Sequence, residues 1–261
     1  MDRDLWTREE FMVVMNLYTK IPYGQFSATN SEVKKLAVLL NRKPGAVAYK
    51  LVHFSGLDPY HKSRGIKGLA NPGKNAIKIY NEFQANWVEM IYESEILLAN
   101  LQKGEIEDFH NETTVKIDKD ILLGKFGEDK QALTKIRVNQ SVFRKIIVNN
   151  YFRSCAICGL NIPDLLIASH ILKWSENKDE RLNPTNGICL CNIHDKAFEN
   201  GYMGIDSSYK VSISSRLELI KDKETYIALF KRHENNSIHL PDKYFPNIDF
   251  LGSHFTNVFV R

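Results

Sequence analysis

CAICGLNIPDLLIASHILKWSENKDERLNPTNGICLCNIHDKAFENG, residues 155–201, is the stretch on which the reading of this chain turns. LLIASHI (165–171) is apolar enough for a buried strand. A polar loop with Trp174 and Pro184 follows, then a second short strand, GICL (187–190). NIHDKAFEN reads as a helix from Asn192 that stops at Gly201. Two strands and a helix thus carry His170, Asn186 and His194 in that order. The set suits metal-assisted phosphodiester hydrolysis. Such chemistry needs a base to activate water, a cation to neutralise phosphate charge, and a group that fixes the base's tautomer and direction.

The segment strongly resembles HNH endonucleases, in the subgroup with an ASHI…W…NP-x-NG-x-x-L…HDKAF signature. The WTREE…LYTKIP…AVAYKL…GLDP opening, RVNQSVFR and YMGIDSSYKVSIS are similar to restriction-type HNH proteins of comparable length. The resemblance implies a ββα-metal domain with His170 as general base. It makes Asn186 the residue that orients His170 or touches the metal, and His194 a metal ligand. It further implies one divalent cation, Mg²⁺ or Mn²⁺. Many members carry Asp or His just before the catalytic His, where this chain has Ser169. The second ligand must then come from elsewhere, with Glu199, Asp195 and the loop acids Asp179 and Glu180 as candidates.

All four cysteines, Cys155, Cys158, Cys189 and Cys191, fall in this region. Four thiolates suit a structural Zn²⁺. Cys189 and Cys191 would face one side of a strand, which permits that set. Small cysteines buried in a core would look the same.

Away from the motif, charge is blocked. Residues 42–78 hold eight Lys/Arg and one acid, Asp58. Residues 93–129 hold ten acids and four Lys, and residues 135–153 hold five Lys/Arg and no acid. Two basic blocks flank an acidic connector. Residues 5–54 read as helical, with a Thr7/Glu10 capping box and a second helix capped by Ser31. After NRKPG, Pro44 opens a third helix, AVAYKLVHF. This is a helix-turn-helix-like pattern, loosely similar to Myb-like modules. Arg42, Lys43 and Lys50 are its candidate DNA contacts, with Tyr49 or His53 reaching a base. A plain helical hairpin is the alternative. Residues 57–78 form a long Gly-, Pro- and Lys-rich loop, itself a candidate DNA contact, a helix spans about 76–101, and another spans 131–150. Arg137, Arg144, Lys173, Lys178, Arg181 and Lys196 are further candidate phosphate contacts, with solvated loop charge as the alternative, and Trp174 either covers the hairpin or stacks on a base.

The fold class expected is α+β: a mainly helical, DNA-binding-like domain (1–101), an acidic linker (102–130) and an HNH nuclease domain (131–261). A hairpin around Asp206, a helix from 218 to 231 and an aromatic tail complete the last. No apolar run reaches membrane-spanning length and the start lacks a signal-peptide core, so a cytoplasmic protein is expected. The expected function is divalent-metal-dependent DNA cleavage of the restriction or phage-defence type. Cutting two strands with one small site per chain favours a homodimer. The alternatives are a non-catalytic DNA-binding regulator with a zinc-stapled hairpin, and an RNA nuclease.

Overall fold

The computed structural model describes residues 5–69, 71–102, 128–173, 177 and 179–261. Most of the expected acidic linker, together with Trp174 and Lys178, lies outside the described residues. The chain divides into two compact units, residues 1–146 and 147–261. Among the described residues no helix is long and apolar enough to cross a membrane.

The first unit is helical. Helix α1 (Arg8–Lys20) begins at the expected capping box, where the Thr7 hydroxyl accepts from the Glu10 amide and the Glu10 carboxylate accepts from the Thr7 amide. Residues 11–20 of α1 are all buried, because α2 (Ser31–Leu39), α3 (Pro44–Ser55), α5 (Lys74–Ala85) and α6 (Trp87–Leu101) pack around it. The cap of α2 is Asn30, not Ser31: its side-chain oxygen accepts from the amides of Glu32 and Val33. The single helix expected over 76–101 is broken at Asn86, whose φ of −137° and ψ of 52° end α5 and start α6.

Between α3 and α5 lies the short α4 (Pro59–Ser63), held by a buried polar triad. The Tyr18 hydroxyl donates to Asp58 at 2.5 Å and lies 3.0 Å from His61 Nδ1. A hydroxyl has one proton, so His61 Nδ1–H donates to Tyr18. All three side chains are buried.

Helix α7 (Glu128–Asn150) runs through the division, and the second unit follows. Strands β1 (Leu166–His170) and β2 (Gly187–Cys191) pair antiparallel, with Leu166 opposite Cys191 and His170 opposite Gly187. Helix α8 (Asn192–Glu199) leaves β2 directly and packs back on both strands. A second hairpin, β3 (Met203–Ile205) and β4 (Val211–Ile213), forms around Asp206 as expected. The helix expected over 218–231 is shorter, α9 (Lys223–Leu229), because Asp222 caps it by accepting from the Glu224 amide. Helix α10 (Ile248–Asn257) lies inside the stretch read only as an aromatic tail. Its His254 stacks flat on Phe198 of α8, with ring centroids 3.7 Å apart, and donates from Nε2 to the Phe198 carbonyl.

Candidate functional site

Two clusters meet around the start of α8. The first is built on sulfur. Residues 155–160 form a knuckle: the Gly159 amide donates to the Cys155 carbonyl at 2.9 Å, and the Cys155 amide donates to the Leu160 carbonyl at 2.8 Å. The left-handed φ of +74° at Gly159 lets the chain turn there. Cys191 ends β2, and His194 sits three residues on in the first turn of α8. Residues three apart on a helical turn share a face. The ligand atoms of Cys155, Cys158, Cys191 and His194 all lie within 4.8 Å of one another. His194 Nδ1 is 3.5 Å from Cys155 Sγ and 3.3 Å from Cys191 Sγ.

This corrects the four-thiol set. The fourth member is His194, and Cys189 stands outside it. Cys189 is fully buried within β2 and meets the knuckle through its backbone, its carbonyl accepting from the Ala156 amide at 2.7 Å. The same geometry draws His194 away from the hydrolytic position. Its Nδ1 faces the thiols and its Nε2 lies 2.9 Å from the Leu229 carbonyl, which can only accept. That second contact fixes the tautomer that presents Nδ1 as a ligand atom.

The four groups perturb one another's protonation strongly. Burial alone would depress the His194 pKa, yet hydrogen bonds with Cys155 and Cys191 lift it to about 10. Hydrogen bonds from Cys155 and Cys158 hold the Cys191 thiol far below its ordinary range, while those to Cys155 and Cys191 push the Cys158 thiol up. An imidazolium beside a thiolate is the charge arrangement a bound cation replaces, and three thiols with one imidazole form a four-donor set suited to a metal.

The second cluster is built on oxygen and imidazole. His170 ends β1, half-buried, with Nε2 2.8 Å from the Arg181 carbonyl. The carbonyl accepts, so Nε2 carries the proton and Nδ1 is the basic atom. Burial lowers the His170 pKa; the Arg181 carbonyl and the nearby Asp195 charge act against that.

Asn186 is completely buried and fastens the loop that supplies this carbonyl. Its Oδ1 accepts from the Leu172 amide at 2.8 Å, and its Nδ2 donates to the Glu180 carbonyl at 3.0 Å and the Leu172 carbonyl at 3.4 Å. Its own carbonyl accepts from the Ile171 amide. Asn186 therefore ties residues 171, 172 and 180 together, one residue short of Arg181. These bonds account for the side chain as a clamp and do not place it as a metal ligand.

Asp195, next to His194, is buried, and burial raises its pKa while a hydrogen bond from the Ser169 hydroxyl lowers it. Ser169 thus steadies a carboxylate. Glu199 is exposed and pairs with Lys196 at 2.5 Å along the helix surface. Of the loop acids, Asp179 is exposed, and Glu180 accepts from Asn183 Nδ2 at 2.6 Å. Among the described residues, Asp195 is the acid whose charge acts on His170.

The candidate DNA contacts are scattered. Arg42 is tied to Glu10 at 2.8 and 3.0 Å and to the Leu5 carbonyl, with its guanidinium 4.9 Å from the Trp6 ring centre. Lys50 lies over Trp6 and Phe11, and burial, then Arg42, lowers its pKa. His53 is buried and cannot reach a base, whereas Tyr49 and Lys43 are exposed. Arg137 is exposed and Arg144 half-buried on α7; Lys173 is exposed beside the loop of the second unit.

Residues 155–206 match the HNH endonuclease family model. The HNH segment so defined runs from the knuckle through β1, Asn186, β2 and α8 to the end of β3, and covers both clusters. Its boundaries leave the first unit and α9–α10 outside the match. No curated protein matches the chain.

Proposed function

We propose that this protein is a divalent-metal-dependent DNA endonuclease, with the HNH segment as its cutting domain. The observation that carries the reading is the His170–Arg181–Asn186 arrangement beside Asp195. In the proposed reaction, His170 Nδ1 takes a proton from water, and the water oxygen attacks phosphorus in line with the departing 3′-oxygen. The Arg181 carbonyl keeps the ring in the required tautomer and supports the imidazolium once it forms. Asn186 holds that carbonyl in place. Asp195, steadied by Ser169, would hold Mg²⁺ or Mn²⁺, which supplies neutralisation of the charge on the phosphate and leaving oxygen.

The Cys155/Cys158/Cys191/His194 set is assigned to a structural Zn²⁺, the ion that favours four thiolate and imidazole donors. The resemblance of the opening and of RVNQSVFR to restriction-type proteins supports a restriction or phage-defence role, with two copies acting on the two strands.

The test is plasmid cleavage with Mg²⁺ or Mn²⁺. His170→Ala is expected to abolish cutting while leaving DNA binding in place; retained cutting removes His170 from the mechanism. A second reading, a DNA-binding regulator that does not cut, is favoured by one observation. Ser169 replaces a common ligand and Glu199 is engaged by Lys196, so Asp195 is left as the carboxylate beside His170. Binding without nicking in the same assay supports the regulator, and parallel RNA substrates separate an RNA nuclease.

A further inference from the structure

We propose that the segment after α3, carrying Lys62, Arg64 and Lys67, is a pre-shaped seat for the phosphate backbone of duplex DNA. The proposal rests on the DNA-directed reading above and narrows the candidate contacts of the first unit to three residues of this loop.

Charge is the first argument. Asp58, the one acid among residues 42–78, is buried and engaged by Tyr18, so it offers nothing to solvent. Lys62, Arg64 and Lys67 are exposed. Lys62 and Lys67 have no carboxylate partner among the described residues. The contrast with Arg42 and Lys50 is sharp, since those two are occupied by Glu10, Trp6 and Phe11.

Shape is the second. The segment is fixed at two points. The Tyr18–Asp58–His61 triad holds α4, so that buried His61 is followed by outward Lys62. Further on, the backbone of Gly68 crosses that of Gly56 at the end of α3. A Cβ on Gly68 would lie 2.4 Å from Gly56 Cα, and Gly68 has a φ of +59°. No other residue fits this crossing. The cations are thus presented on a fixed backbone, and less ordering entropy is lost on binding.

Chemistry is the third. Three cations within six residues, with the neighbouring His61 ring buried, suit contacts with the phosphate backbone.

The experiment measures affinity of the full-length His170→Ala protein for a short duplex across a salt series, without added Mg²⁺ or Mn²⁺. The triple change K62A/R64A/K67A is expected to reduce the slope of log affinity against log salt by about 2 to 3, and to weaken binding about 100-fold near 0.15 M salt. Lys50→Ala is expected to leave the slope unchanged. Gly68→Ala, which alters no charge, is expected to weaken binding about tenfold while the protein stays folded by circular dichroism, since only the presentation of the cations is lost. An unchanged slope in the triple variant overturns the proposal, even where wild-type protein cuts DNA and the nuclease reading stands. Wild-type binding of Gly68→Ala overturns the fixed-loop argument. Equal or tighter binding of single-stranded RNA overturns the choice of duplex DNA. A wild-type protein that neither binds nor cuts DNA sinks both readings.

Discussion

Replacing Asn186 with Ala tests whether one buried amide sets both the stability and the chemistry of the second unit. The change removes an acceptor 2.8 Å from the Leu172 amide and a donor 3.0 Å from the Glu180 carbonyl, plus a longer contact to the Leu172 carbonyl. Two good hydrogen bonds contribute about 1 kcal/mol each, and a buried amide left without a partner adds about 1 kcal/mol or more. The expected loss is about 3 kcal/mol. For a unit of this size that corresponds to a fall in Tm on the order of 10 °C. Thermal unfolding at fixed zinc concentration measures it. The Arg181 carbonyl also loses its anchor one residue away, so His170 should be misdirected. A displacement of about 1 Å costs roughly 100-fold in rate. The cleavage rate should therefore fall by about that factor while DNA affinity is kept. A variant that loses less than 1 kcal/mol and still cuts at the wild-type rate would refute the clamp.

Metal analysis of purified protein should find one zinc per chain, lost in His194→Ala and in Cys155→Ala but kept in Cys189→Ser; zinc loss from the last would return Cys189 to the ligand set. His254 gives a pH prediction. Burial holds its pKa near 4, below about 6.5 in an unfolded chain. Its contribution is therefore complete above pH 6.5 and lost as pH falls towards 4, about 3 kcal/mol in all. Chemical denaturation of wild type and His254→Gln at pH 7 and pH 4.5 should show a smaller drop in the variant, and equal drops would remove His254 as the acid-sensitive group. Arg42→Ala should destabilise the first unit by about 2 kcal/mol, because the half-buried Glu10 keeps its charge without the guanidinium. The salt slope of DNA binding should not change, and a slope reduced by about 1 would restore Arg42 as a phosphate contact.

The HNH order was legible in the sequence because its strands, loop and helix are local. An apolar run ends near His170, a second follows Asn186, and α8 stops before Gly201. Strand periodicity misled the reading of the sulfur cluster. Cys189 and Cys191 do share a side of an ideal strand, but Cys191 is the last strand residue and the chain enters a helix there. Three-residue spacing then governs, and Cys191-x-x-His194 repeats the spacing of Cys155-x-x-Cys158. The signal was present under the wrong period. For Arg42 and Lys50 the sequence hid their partners: Glu10 and Trp6 lie more than thirty residues away in the chain, and charge in a sequence carries no record of its partner. Helix α10 carried readable signals that the aromatic-tail reading passed over: Asn247 caps it by accepting from the Asp249 amide, and Ile248, Leu251 and Phe255 fall at helical spacing.

His194 and Asp195 are neighbours in the chain, and a single helical step of about 100° turns their side chains to different company. One looks onto sulfur; the charge of the other is felt by the imidazole of His170. If both proposed sites fill, ions that prefer polarisable donors and ions that prefer oxygen would be sorted on opposite flanks of one turn. In the proposed enzyme, loading the wrong metal at the cutting site would be discouraged by the rotation of the backbone itself.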